Sequence, residues 1–129
     1  MMKKCLLTLL LLVTVMTAQA EWLAVESAIQ QHGETHYFDS QVVQKNGQLR
    51  KVWLLSSYDD RQIGGYHAVK SLYEIDCSNN KARSITMLLY PDKKAAEAVI
   101  GAHHEESQEW FSFARNSIFQ NISEIICAS

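Results

Sequence analysis

The sequence predicts an α+β domain: an antiparallel sheet of about five to six strands with a C-terminal helix tied to it by a disulfide. The sheet is indicated by segments rich in β-branched and aromatic residues, which alternate with short polar turns along most of the chain. The helix is indicated by an apolar stripe at helical spacing in the last segment. The disulfide is indicated by two cysteines, one ending a predicted strand and one ending the helix. Strands followed by a helix form a layered arrangement of the α+β class.

The composition is that of one globular domain of 129 residues. Hydrophobic residues make up 47% and charged residues 20%, which is typical of a folded rather than a disordered chain. The formal net charge is −2, whereas a nucleic-acid-binding protein needs a basic face to contact phosphates. We therefore expect no nucleic-acid partner.

The first twenty residues have the features of a secretory signal peptide. A basic start precedes an apolar run at 6–16, and small residues occupy the −3 and −1 positions of a cleavage site after Ala20. The run is shorter than the roughly 20 residues that a membrane span needs, and a retained N-terminal anchor is the alternative. We therefore expect residues 1–20 to be a signal peptide. Residues 21–129 would then be an exported domain, periplasmic or secreted, without stable membrane insertion.

Two of the three cysteines remain after this cleavage, because Cys5 precedes the apolar run and is removed with it. Cys77 and Cys127 lie 50 residues apart, and in an exported protein a remaining pair is usually a disulfide. Closing a loop of that length restricts the unfolded chain by roughly 4 kcal/mol. Free thiols or a metal-binding pair are the alternatives, whereas a redox-active pair is expected at a closer spacing such as Cys-x-x-Cys.

Five segments are predicted as strands from their residue types and alternation. They span residues 21–28, 35–43, 49–58, 68–77 and 82–90. Asn46-Gly47 tolerates the positive φ values of a tight turn, so the second and third strands are expected to form a hairpin. Residues 103–108 are typical of a loop and residues 109–113 of a short edge strand, while residues 93–102 fit either a helix or a strand.

The last segment is predicted as an amphipathic helix with a cap at Asn116 or Ser117. Its apolar stripe consists of four isoleucines at helical spacing: Ile118, Ile122, Ile125 and Ile126. Because Cys127 ends the segment, a disulfide to Cys77 would fasten the helix to the sheet.

Few residues are suited to catalysis or cofactor binding. The sequence lacks a Gly-x-Ser-x-Gly motif and a Gly-rich phosphate loop, so we expect no enzymatic activity and no cofactor. His103 and His104 precede two glutamates and are weak metal-ligand candidates, because adjacent side chains diverge on a strand or a helix. His32 and His36 form a second weak pair, since Gly33 disfavours a helix between them.

The central predicted strand is apolar on both faces, because Trp53 and Leu55 alternate with Val52 and Leu54. The helix would cover one face, and the other is either covered by a loop or offered to a partner. Trp53 and Leu55 are therefore candidates for binding another protein, or a second copy of the chain, through the sheet.

Residues over nearly the whole mature chain follow an order that is specific to one family. They are Trp22, Tyr37-Phe38-Asp39, Asn46-Gly47, Val52 to Leu55, Tyr58, Tyr73 to Cys77, Arg83, Tyr90, Trp110 and Cys127. This order resembles the surface-adhesin protein E-like family of small exported bacterial proteins. The resemblance implies a curved antiparallel sheet with a disulfide-tied C-terminal helix. It also implies a dimerising outer-surface lipoprotein that adheres to host matrix and plasma proteins.

Two features depart from that family pattern. The chain has no lipoprotein cysteine after its apolar run, and it carries Ala114-Arg115-Asn116 where the family has Pro-Gly before the last helix. We therefore predict an exported, non-enzymatic bacterial envelope protein that binds a host or envelope protein and can form a homodimer. The alternative is a periplasmic ligand- or metal-binding protein, or a small enzyme, with a pocket between sheet and helix.

Overall fold

The computed structural model describes residues 21–25, 33–106 and 108–128. The predicted signal peptide, the end of the first predicted strand and His32 lie outside the described residues. In the part of the chain so described, no helix has the length and apolar character needed to cross a membrane.

The described residues form eight strands and one helix. They are β1 (Trp22–Val25), β2 (Glu34–Asp39), β3 (Gln44–Asn46), β4 (Leu49–Tyr58), β5 (Ala68–Asp76), β6 (Lys81–Tyr90), β7 (Gly101–His104), β8 (Phe111–Ser112) and α1 (Ile118–Ile126). All pairs are antiparallel in the order β1-β2-β4-β5-β6-β7, with β3 beside β4 and β8 beside β6. The predicted α+β class is confirmed. The strand number is larger than predicted because β3 and β7 are short additions of three and four residues, whereas β8, of two residues, lies within the predicted edge strand over 109–113.

The long hairpins follow the sequence pattern closely. β4 spans its predicted range, and β5 and β6 match theirs to within one residue. The hairpin between β3 and β4 turns through Gly47 and Gln48, with Asn46 opposite Leu49. Gly47 adopts a φ of +59°. This is the geometry of a type II′ turn, in which glycine takes the first central position.

The second predicted strand ends earlier than expected. β2 stops at Asp39, so a strand over all of 35–43 was wrong, and the next strand, β3, begins at Gln44, beyond the predicted range. The Oδ1 atom of Asp39 accepts the backbone N–H of Gln41 at 2.9 Å, and such a local bond turns the chain away from the ladder.

The turn between β5 and β6 is organised by Asp76. Its Oδ1 accepts the backbone N–H groups of Ser78 at 3.0 Å and Asn79 at 3.3 Å, and its Oδ2 accepts Nδ2 of Asn79 at 2.9 Å. The side-chain bond from Asn79, with the two backbone bonds, lowers the pKa of Asp76 below its ordinary value of 3.8. The turn also contains Cys77, so Asp76 helps to position one end of the disulfide.

Replacing Asp76 with asparagine is expected to remove an acid-sensitive part of the stability. A carboxylate with a depressed folded-state pKa stabilises the fold above its unfolded pKa, and the stabilisation is lost as pH falls through the lower folded value. Wild type should therefore be more stable than Asp76→Asn at neutral pH, and the difference should shrink as pH falls below the ordinary carboxyl pKa and through the lower folded-state pKa. Urea unfolding across this pH range measures the difference. A difference that stayed constant at every pH would contradict the prediction.

Residues 93–102, for which the sequence fits either a helix or a strand, form neither over most of their length. Residues 93–100 are turns, bends and irregular backbone, and only the last two residues of the segment belong to β7. The cause is Asp92, whose carboxylate accepts the N–H groups of Ala96 at 2.9 Å and Glu97 at 3.2 Å. Ala95 has a φ of +51°, which lies outside both regular regions. β7 extends to His104, so a loop over all of 103–108 was also wrong.

Helix α1 packs three of the four predicted stripe residues, Ile118, Ile122 and Ile126, against one face of the sheet. The fourth, Ile125, was wrongly placed in the stripe, because it faces solvent and is 53% exposed. Ser117 is the N-cap, and its Oγ accepts the N–H of Gln120 at 3.4 Å. Ile122 and Ile126 are 1% and 3% exposed. Their buried partners on β1, β2, β4, β5 and β6 are Val25, Phe38, Val52, Leu54, Ile75 and Ala82. Burying these side chains is the main stabilising term, at about 25 cal/mol per Å² of apolar surface removed from water.

The predicted disulfide is confirmed between Cys77 and Cys127. It joins the turn after β5 to the C-cap of α1, across a sequence separation of 50. A nine-residue helix is too short to be stable alone in water, so its position depends on this bond and on the packed stripe.

Candidate functional site

The face of the sheet opposite α1, called here the open face, carries the second set of apolar side chains. Alternation along β4 places Val52 and Leu54 under the helix and sends Trp53 and Leu55 to the open face. Across the β4–β5 ladder, Trp53 pairs with Leu72 and Leu55 pairs with Lys70. The predicted two-sided strand is therefore present.

The two candidate residues have different surroundings. Leu55 is 7% exposed and packs in a cluster with Ala68, Tyr90 and Ala95. Ala95 comes from the irregular segment 91–100, which therefore covers this part of the open face as a loop. Trp53 is half-buried and lines a cavity beside the cluster. Both outcomes expected for the open face thus occur, on neighbouring parts of the sheet.

Two adjoining cavities form a groove on the open face, called here the open-face groove. One has a volume of about 340 Å³ and is lined by Trp22, Asp39, Gln41, Trp53, Lys70, Leu88 and Tyr90. The other has about 350 Å³ and is lined by Trp22, Tyr37, Leu55, Ser57, Lys93 and Lys94. Trp22 is shared, so it forms the wall between the two.

Lys70 is held in the groove by two aromatic rings. Its Nζ lies 5.7 Å from the ring centroid of Trp22 and 5.1 Å from that of Tyr90. At these distances the ammonium is attracted to both ring faces. The contacts keep the charge at the groove surface, and none of the described carboxylates forms an ion pair with it, so the ammonium is able to attract a ligand's negative group.

The groove is positive although the whole chain is negative. Its linings contain Lys70, Lys93 and Lys94 against the single carboxylate of Asp39. The Oδ1 atom of Asp39 accepts two backbone N–H groups, from Glu21 at 3.2 Å and Gln41 at 2.9 Å. Of the lysines, Lys93 approaches an exposed Asp59 carboxylate at 3.5 Å, a pair that solvent weakens.

The loop that borders the groove is fixed at its base by Asp92. The backbone hydrogen bonds from Ala96 and then Glu97 lower the pKa of Asp92 below its ordinary value of 3.8. Ser57 on β4 adds a bond from its Oγ to the carbonyl of Lys93 at 2.9 Å. These contacts hold Lys93 and Lys94 at the rim.

Away from the groove, the open face is covered by a contact between Arg83 on β6 and Trp110. Arg83 on β6 donates to the Oε1 of Glu74, with Nε at 2.9 Å and Nη2 at 2.6 Å. Its guanidinium lies 4.7 Å from the ring centroid of Trp110. This stack fastens the segment before β8 over the open face, and the groove remains as the part that is not covered.

The two histidine candidates are not brought together. On β7, His103 pairs with Met87 and His104 with Thr86, so their side chains lie on opposite faces. Each lies near its own glutamate, His103 Nε2 at 3.4 Å from Glu105 and His104 Nε2 at 3.7 Å from Glu106. Within the described ranges, no group of three His, Cys, Asp or Glu side chains is placed to hold a metal ion.

A cluster of three polar side chains, Glu34, His36 and Ser56, on the helix side was not expected from the sequence. His36 Nδ1 lies 2.8 Å from Ser56 Oγ, and its Nε2 lies 3.4 Å from Glu34. The register that sets His36 opposite Ser56 brings them together, and spacing along the chain gives no signal of it. None of these residues lines the open-face groove. The three side chains therefore support the pairing of β2 with β4.

The cavity between sheet and helix does not collect reactive groups. It has a volume of about 410 Å³ and is lined by Ala24, Val25, Phe38, Asn121, Glu124 and Ile125. Glu124 is the one titratable side chain in that lining, whereas a catalytic pocket needs several that converge. The open-face groove is therefore the better candidate site.

Comparison with known proteins gives one result. A family model described as surface-adhesin protein E matches residues 22–128. Because the match covers nearly all of the chain, the chain belongs to this family, and the resemblance drawn from the sequence is confirmed. No curated protein and no solved structure matches the chain.

Proposed function

We propose that this member of the surface-adhesin protein E family is an exported, non-enzymatic envelope protein that adheres to another protein through the open-face groove. The carrying observation is the pair of half-buried tryptophans, Trp22 and Trp53, set in an open cavity around the Lys70 ammonium. Tryptophan and tyrosine dominate the binding energy of protein interfaces, because they offer large rigid surfaces with a polar edge.

The proposed partner presents an extended segment with carboxylates beside apolar side chains. Three lysines against one backbone-bonded carboxylate favour a negative ligand, and the aromatic walls favour apolar groups between the charges. The partner is a host or envelope protein. A second copy of this chain is the other occupant that the experiment below distinguishes.

Export agrees with the covalent structure of the domain. A disulfide between Cys77 and Cys127 persists in the periplasm or outside the cell and is rare in the cytosol. We propose that residues 1–20 direct export and are removed after Ala20, which leaves Trp22 as the second residue of the mature chain.

Replacing Trp53 with alanine is expected to weaken partner binding by about 30-fold, the effect of losing one interface anchor of roughly 2 kcal/mol. Cells that display or secrete the wild type are cross-linked, the captured protein is identified, and its affinity for each purified variant is then titrated. Ile63→Ala is the matched control, because Ile63 is fully exposed in the loop after β4 and should bind as wild type does.

Lys70→Gln completes the test, because it removes the charge and should reduce both affinity and its dependence on salt. Sizing of the purified chain separates a second copy from a different protein as the occupant. The proposal fails if Trp53→Ala and Lys70→Gln bind the captured protein as tightly as Ile63→Ala.

A further inference from the structure

The residue after the predicted cleavage site is already held by the end of β2. The backbone N–H of Glu21 donates to Asp39 Oδ1 at 3.2 Å, and its carbonyl accepts the N–H of Ser40 at 3.0 Å. Its side-chain Oε2 accepts the hydroxyl of Ser40 at 3.0 Å. Three separate bonds therefore fix one residue at the start of β1.

The acceptor of the first bond is a buried charge. Asp39 is 8% exposed and lines the open-face groove beside Trp22. Its Oδ1 receives backbone N–H donors from Glu21 and Gln41. A carboxylate withdrawn from water is stabilised further when one of its donors carries a positive charge.

Cleavage would change the chemistry of that donor. Hydrolysis of the Ala20–Glu21 peptide bond adds the hydroxyl of water to the carbonyl of Ala20, and the nitrogen of Glu21 takes the proton. An α-amino group is largely protonated at neutral pH, so the neutral amide becomes an ammonium. The atom that already lies 3.2 Å from Asp39 would then be a cation.

We propose that removal of the signal peptide creates an ion pair between the new α-ammonium of Glu21 and the buried carboxylate of Asp39, and that this pair strengthens the hold on Trp22 as a wall of the open-face groove. The inference rests on the proposed export and processing. Trp22 follows Glu21 directly and stands opposite Asp39 in the β1–β2 ladder, so the pair and the ring are fixed together. Maturation at one peptide bond would thus add a charge-assisted contact to a groove wall that the chain already forms.

The experiment uses the full chain, exported and purified from its compartment, with the mass of the product giving its first residue. In a second chain, Gly-Ser is inserted directly after Ala20, so that cleavage leaves the amino group two residues away from Asp39. Both are made with and without Asp39→Asn. Asparagine keeps the Oδ1 acceptor for both backbone N–H groups, so the variant retains the fold.

The insertion is expected to lower Tm by about 4 °C with Asp39 present and by less than about 1 °C with Asp39→Asn. Equal shifts in the two backgrounds, no shift in either, or a mature chain that begins elsewhere than Glu21 would overturn the inference. An uncut chain would defeat the proposed cleavage after Ala20 as well. The failure of the proposed binding function would give a different result. Trp53→Ala would then bind the partner as tightly as wild type, while the insertion would still lower Tm only when Asp39 is present.

Discussion

Replacing both Cys77 and Cys127 with alanine is expected to lower the free energy of unfolding by about 4 kcal/mol. The bond closes a loop with a sequence separation of 50 residues, and opening that loop returns conformational freedom to the unfolded chain. The melting temperature should fall by about 15 °C, a large part of the stability of a domain of this size. The folded state loses a second support too, because the bond ends the short helix α1.

Guanidinium unfolding of the oxidised wild type and the double variant measures this loss. Wild type treated with a reductant is the matched control, since it lacks the same bond without any substitution, and it should unfold near the variant. The prediction is wrong if the double variant unfolds within about 1 kcal/mol of the oxidised wild type, because the tie between sheet and helix would then add little.

The long strands could be predicted because their signal is local. In β4, β5 and β6 the side chains alternate between a helix-covered face and the open face, and a period of two is visible in any short window. The segment from 93 to 102 could not be predicted in the same way. Its conformation depends on the Asp92 carboxylate, which accepts the backbone N–H groups of two later residues. These bonds outweigh the helix propensity of residues such as Lys94.

Two residues of the candidate site, Trp53 and Leu55, could be predicted from the sequence, whereas the rest of its lining could not. Alternation alone places Trp53 opposite Val52, and the structure agrees. The other groove residues Trp22, Lys70 and Tyr90 come from three strands, β1, β5 and β6, whose neighbours are set by sheet order. That order follows the chain from one strand to the next, but the register of each pair, including the shift between Leu72 and Tyr73, decides which side chains meet, and alternation along a single strand does not specify it.

The positive charge of the groove could not be predicted from the composition either. The chain as a whole carries a net charge of −2, which names no partner. The fold gathers Lys70, Lys93 and Lys94 along one face. A protein can therefore be negative overall, for solubility, and still present a positive groove to a negative ligand.

Replacing Ile122 with alanine is expected to lower the free energy of unfolding by about 3 kcal/mol, whereas Ile125→Ala should change it by less than about 0.5 kcal/mol. Ile122 is 1% exposed in the core between α1 and the sheet, and Ile125, three residues later, is 53% exposed. The first substitution leaves a cavity among packed side chains, and the second removes contacts mostly with water. The two changes alter helix propensity equally, so their difference isolates burial.

Urea unfolding of both variants at one protein concentration measures this difference. Equal losses would contradict the arrangement of α1 given above, because the solvent face of the helix would then be as well packed as the core face. Repeating the measurement at a tenfold dilution decides the cause of such a result. A loss at Ile125 that disappears on dilution would mean that a second copy covers the helix, and a loss that persists would mean that α1 is rotated on the sheet.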